Sequence, residues 1–302
     1  MSIETLLCYD ESKPRTEIDM EQRDNANLFN RILEILTPFL IYYVICHVAF
    51  YIFISLCNPS SVFLPAGLRE YIAEHAGDVT QLVNSVSMII AVLPLIPMLR
   101  RELSAGMEHN AEMTGDKKII GNAVRILSVF FAVILAASSS LGFNVLLAIT
   151  GFVQTSAAYQ EVAEQQYSIM FGMGAVLFGL ISPVTEEIVF RGLVFNRIRR
   201  YYPTAAAVIA SGVLFGVYHG NLVQGVYGSC MGILLAYVYA RMHSLLIPCL
   251  FHATANFVVY ALAQNEEQHA RIFNVTGCVI LLTISTICIF LIEIFRKKLH
   301  NR

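Results

Sequence analysis

The chain has 302 residues, 56% hydrophobic and only 14% charged, with a formal net charge of -2 and a mean hydropathy of +0.62. A soluble domain carries about 25% charged residues, so that class is excluded, and the near-neutral charge offers nothing to a nucleic acid. The charges gather in short clusters between long apolar runs, which predicts an all-α, polytopic membrane helical bundle.

Residues 1–30 read as a disordered cytoplasmic tail, since the first 27 carry seven acidic and three basic side chains. Residues 31–140 supply N-terminal transmembrane helices, with apolar runs at 32–57, 79–99 and 119–141. Each is long enough to cross about 30 Å of hydrocarbon. Residues 141–265 form the core, with apolar runs at 167–182, 222–241 and 245–263 and two segments of mixed character at 186–200 and 204–219. Pro183 interrupts 167–200 only locally. That stretch reads as one long helix, kinked near the proline, whose freed carbonyls are satisfied by neighbours. Residues 266–302 add a last transmembrane helix at 272–295 and a basic cytoplasmic tail.

The total is about eight transmembrane helices, and the basic residues give an independent check. They cluster at Lys13, Arg15, Arg23 and Arg31, then at Arg100, Arg101, Lys117 and Lys118. They return at Arg197, Arg199 and Arg200, at Arg241, and at Arg296, Lys297 and Lys298. With eight spans every cluster falls on the side of both termini, which the positive-inside rule makes cytoplasmic. Gly212, Gly216 and Gly220, then Gly228 and Gly232, stand four apart, the spacing that lets membrane helices approach closely. The seven cysteines form no CxxC pair and lie mostly in apolar runs, which predicts buried thiols rather than disulfides or a cysteine metal cage.

Ionisable side chains in apolar helices cost several kcal/mol unless they face a partner or a cavity, so each calls for a reason. Residues 182–192 place Glu186, Glu187 and Arg191 in an apolar stretch. Glu187 and Arg191 are four apart and can pair, a structural role. Glu186 points about 100° away from Glu187 and has no such partner, and a desolvated carboxylate is suited to general-base work. His219 ends one apolar segment; His252 and Asn256 share a face of another. At 1.5 Å per residue, Glu186, His219, His252 and Asn256 lie about 21, 22, 10 and 16 Å along their helices from the same side, so the four can meet inside the membrane.

Glu-Glu-x-x-x-Arg at 186–191, Phe-x-x-x-His at 215–219 and His-x-x-x-Asn at 252–256, in this order on successive membrane helices, resemble the CAAX-protease and bacteriocin-processing (CPBP or Abi) family. Asn221, Gln224 and Ser244–Pro248 match it as well, and the resemblance covers about residues 140–265. It implies an intramembrane endopeptidase of the cell membrane, of the glutamate type or a metalloprotease. In that scheme Glu186 activates water with His219, His252 and Asn256 stabilise the oxyanion, and Glu187 and Arg191 support them. Zinc held by Glu186, His219 and His252 stays open, because those ligands would form a plausible set. The implied partners are the lipid bilayer and a peptide or membrane-protein substrate: a lipidated tail, a leader peptide or a membrane segment. The alternatives are a non-catalytic membrane scaffold or bacteriocin-immunity protein binding in the same groove, and a proton-relay transporter, which no inverted repeat supports.

Overall fold

The computed structural model describes residues 28–60, 64–104 and 115–300. Residues 1–27 of the expected tail lie outside them, and residues 28–30 already belong to the first helix. Among the described residues the fold is all-helical: α1 (Leu28–Leu56), α2 (Ala66–Glu74), α3 (Ala76–Ser104), α4 (Gly115–Ile149) and α5 (Ala157–Tyr167). The chain continues through α6 (Phe171–Tyr201), α7 (Thr204–Tyr218), α8 (Leu222–Met242), α9 (Leu246–Ala263), α10 (Glu266–Ile272) and α11 (Val275–His300).

Seven of these helices (α1, α3, α4, α6, α8, α9 and α11) are long and apolar enough to cross a membrane. The sequence predicts an eighth at 204–219, and here the structure differs. Helix α7 is apolar but has only 15 residues, about 22 Å at 1.5 Å per residue, short of the ~30 Å of hydrocarbon. It stops early because His219 leaves the helix and Gly220, at φ +76°, reverses the chain in a conformation that favours glycine. Gly220 is therefore a turn residue rather than part of the packing stripe. The helices α2, α5 and α10 fall largely between the apolar runs read as spans; Ser156 caps α5 and Asn265 caps α10, each accepting a backbone N–H three residues on.

Helix α6 is the centre of the bundle. Its stretch Ile188–Phe195 is buried almost throughout and packs against α1, α3 and α7. A second apolar cluster joins α4, α8, α9 and α11 around Leu135, Leu235, Phe251 and Ile292. Lipid supplies no hydrophobic driving force between helices, so contact rests on close backbone approach and internal hydrogen bonds. Both are visible. A Cβ on Gly212 would stand 2.5 Å from the Ile233 amide nitrogen, and one on Gly232 would stand 2.7 Å from the Gly212 carbonyl oxygen, so α7 and α8 touch backbone to backbone. Ser138 of α4 meets Ser285 of α11 at 2.8 Å.

At one end of the bundle an ionic knot joins α1, α3 and α6. Arg197 Nε donates to Glu102 at 3.2 Å and its Nη1 to the Glu34 carbonyl at 2.6 Å. Arg200 pairs with both Glu102 and Glu34, and the Tyr201 hydroxyl donates to Glu34. Arg197 and Arg200 enter the sequence argument only as positive-inside markers, yet both have carboxylate partners. The six described cysteines, Cys46, Cys57, Cys230, Cys249, Cys278 and Cys288, are free thiols.

Candidate active site

The irregular backbone of α6 is the first device that builds the site. Two π-helical stretches, Leu177–Ile181 and Ile188–Phe195, flank the short α-helical turn Ser182–Glu187. In the first stretch the Ser182 N–H bonds back to the Leu177 carbonyl, five residues earlier. One step on, the Phe178 carbonyl would take the N–H of residue 183, which is a proline and has none. Asn256 fills the gap: its Nδ2 donates to that oxygen at 3.0 Å. The expected neighbour that satisfies the carbonyl freed by Pro183 is thus a predicted site residue, and the bond docks α9 against α6.

Beside this point lies a cavity of about 560 Å³, lined by Glu186, His219, His252 and Asn256 together. The four residues that the sequence singles out on three helices therefore face one space. Glu186 is 5% exposed; one carboxylate oxygen accepts from Ser182 Oγ at 2.8 Å, and the other lies 3.7 Å from His252 Nε2. The sequence analysis leaves Glu186 without a local partner and so misses Ser182, although the i, i+4 spacing carries that signal.

The two imidazoles are held in matching tautomers by different means. His219 closes α7, and its own N–H turns to the Gly216 carbonyl, leaving the Phe215 carbonyl without a backbone donor. His219 Nδ1 sits 2.8 Å from that oxygen and must be the protonated nitrogen there. His252 Nδ1 sits 2.8 Å from Glu187 Oε1, which as a carboxylate can only accept. In both rings Nε2 is the atom left for chemistry.

Glu187 and Arg191 do not line the cavity; they stand behind it, both 0% exposed. The predicted pair is present, with Nη1 2.9 Å from Glu187 Oε1, the oxygen that also holds His252. Arg191 Nη2 donates to the Gly232 carbonyl at 2.8 Å, and its guanidinium lies 4.8 Å from the centre of the Phe215 ring. Phe215 in turn sets its ring edge-on to His219 and His252 at 4.9 and 5.5 Å. One buried arginine thus links α6, α7 and α8 and fixes the carboxylate that orients a cavity histidine, the outer support that such a ring needs.

Glu186, His219 and His252, the candidate zinc ligands, line the cavity but are not gathered into one ligand cluster. No three His, Cys, Asp or Glu side chains among the described residues are grouped to hold a metal ion.

The rest of the wall comes from further helices, and apart from Gln224 their contribution is not legible as motifs. Helix α3 supplies Gln81 and Asn84, α4 supplies Asn144, α5 supplies Tyr159 and Gln166, and α8 supplies Gln224. Burial pushes the Tyr159 and Tyr167 hydroxyls above the ordinary tyrosine range, so both stay neutral donors.

Residues 168–258, from just before α6 to within α9, match the family model described as Type II CAAX prenyl endopeptidase Rce1-like. This stretch of the chain is similar to that family. The Rce1-like segment contains Glu186, Glu187, Arg191, His219, His252 and Asn256. A protein of Bacillus subtilis (strain 168) named "Putative membrane peptidase YdiL" is similar, 27% identical over 140 residues that make up 40% of this chain and 57% of that protein. The chain thus aligns with a little over half of that curated relative. No solved structure matches it. Seven apolar helices together with an Rce1-like segment make this a multi-pass integral membrane protein.

Proposed function

We propose that the chain is an intramembrane endopeptidase that hydrolyses a peptide bond of a membrane-associated substrate in the cavity beside α6. The observation that carries this reading is the meeting of Glu186, His219, His252 and Asn256 on the wall of one cavity inside an apolar bundle. Buried ionisable groups in a membrane are costly and mark function, and the Rce1-like match names the same chemistry.

In this reading a water held between Glu186 and His219 Nε2 attacks the scissile carbonyl carbon while Glu186 takes its proton. His252, carrying a second proton on Nε2, and the second N–H of Asn256 face the developing oxyanion, the other Asn256 N–H being used on Phe178. Collapse of the tetrahedral intermediate breaks the C–N bond, and the proton on Glu186 passes to the leaving nitrogen. Glu187 holds His252 through Nδ1 and stabilises positive charge on the ring. By the positive-inside pattern, the ionic knot at Arg197 lies on the cytoplasmic side.

The test compares wild type with Glu186→Gln, which keeps the shape and removes the base, in the native host. New peptide termini across the proteome are measured by mass spectrometry. Termini confined to the wild type establish proteolysis; identical termini from two stably inserted proteins reject it in favour of a binding scaffold.

A further inference from the structure

The cavity beside α6 has a polar strip that the sequence motifs do not account for. Helix α3 lies outside residues 168–258, the segment that matches the family model. It nevertheless packs against Leu177–Glu187 of α6, the stretch that carries Glu186. On the cavity wall it presents Gln81, Asn84, Ser85 and Met88, spaced i, i+3, i+4 and i+7 along one helix face. The first three are polar, in a helix long and apolar enough to cross a membrane.

The hydroxyls of α3 are not all used alike. Thr80 and Ser87 donate to the carbonyls four residues earlier, at 2.7 and 2.8 Å. Ser85 makes no such bond, although it is only 4% exposed. Neither its hydroxyl nor the carboxamides of Gln81 and Asn84 have a hydrogen-bond partner among the described residues. Polar groups inside a membrane bundle need partners, and water or a ligand in the cavity is what remains to supply them.

We infer that Gln81, Asn84 and Ser85 form a binding strip for the main chain of an extended peptide and hold it beside Glu186. Cleavage of that peptide rests on the function proposed above, whereas its binding does not. A carboxamide or a hydroxyl both donates and accepts, which is what a peptide group requires of its partner. The spacing fits as well. Gln81 and Ser85 are four residues apart, about 6 Å along the helix. In an extended chain, groups on one side recur every second residue, about 6.7 Å apart. The strip can therefore meet two successive same-side peptide groups, with Asn84 between them. Main-chain groups are common to every residue, so the strip sets the course of the substrate without choosing its side chains.

Binding is read on full-length Glu186→Gln protein in lipid nanodiscs, which leaves a bound peptide uncut. The probes are two octapeptide pools randomised over Gly, Ala, Ser, Leu and Tyr. One is ordinary; in the other each backbone amide is replaced by an ester, which removes the N–H and keeps the shape. The expected result is retention of the amide pool about tenfold or more above the ester pool, equivalent to about 1.4 kcal/mol. Adding Gln81→Leu, Asn84→Leu and Ser85→Ala should bring the two pools close to equal. Equal retention by the parent protein, or retention of neither pool, overturns the inference without reliance on any strip variant. Undiminished discrimination by a stably inserted strip variant overturns it too. In cleavage of the amide pool with Glu186 restored, the strip substitutions should raise KM about tenfold and leave kcat within about twofold; a fall in kcat at unchanged KM rejects the binding role. Selective retention without any cleavage by wild type overturns the hydrolase reading and leaves the strip standing.

Discussion

Replacing Glu187 by leucine removes, in one step, the acceptor for His252 and the only carboxylate among the described residues that pairs with Arg191. Both Glu187 and Arg191 are 0% exposed, so no solvent screens the loss. The guanidinium keeps the Gly232 carbonyl at 2.8 Å and the Phe215 ring face at 4.8 Å, and neither neutralises it. Breaking a buried ion pair from one side costs about 3–5 kcal/mol, whereas replacing both partners by apolar groups of similar volume is close to neutral. Glu187→Leu alone should therefore lose about 3–5 kcal/mol, and Glu187→Leu combined with Arg191→Met should recover most of it. The chain has no tryptophan, so unfolding is best followed by helical circular dichroism in titrations from mild detergent into dodecyl sulfate. Peptidase activity should not return with stability, because His252 stays unanchored in the double variant. A single variant within about 1 kcal/mol of wild type, or a double variant no better than the single, would refute the argument.

Three more outcomes follow from other contacts. Gly212→Leu should destabilise by about 1–3 kcal/mol or more, because its Cβ would meet the backbone nitrogen of Ile233 at 2.5 Å and α7 and α8 would have to part; detergent unfolding measures this, and an unchanged midpoint contradicts the backbone contact. Asn256→Leu should cost about 1–3 kcal/mol by stranding the Phe178 carbonyl. Adding Pro183→Ala should lessen that stability loss by restoring a backbone donor, so a purely additive double variant would exclude this role. Glu102→Ala should cost about 2–3 kcal/mol, since it leaves Arg197 with only the Glu34 carbonyl while Arg200 keeps Glu34; proteolysis of the α3–α6 end should rise in step, and unchanged protease resistance would count against the knot.

Membrane helices are the part of this protein that its sequence determines, because hydrocarbon forces every backbone group into local hydrogen bonds and length alone then marks a span. The apolar runs, the Glu187–Arg191 pair at four-residue spacing, the Gly212–Gly232 approach and the four residues that face the cavity all follow from that local logic. What fails is whatever depends on a neighbour. Helix α7 ends early because His219 and Gly220 turn the chain, a choice invisible to a hydropathy count. The proline break was readable, but the side chain that heals it, Asn256, stands 78 residues away. Likewise, nothing local says that Glu187 turns one oxygen to both Arg191 and His252, or that Glu34 and Glu102 bind the arginines at the end of α6. Gln81, Asn84, Asn144 and Gln166 carry no motif; only the packing of α3, α4 and α5 around α6 and α9 turns them into one wall. The sequence dictates which groups must be hidden from lipid, and the tertiary structure alone decides what they are hidden against.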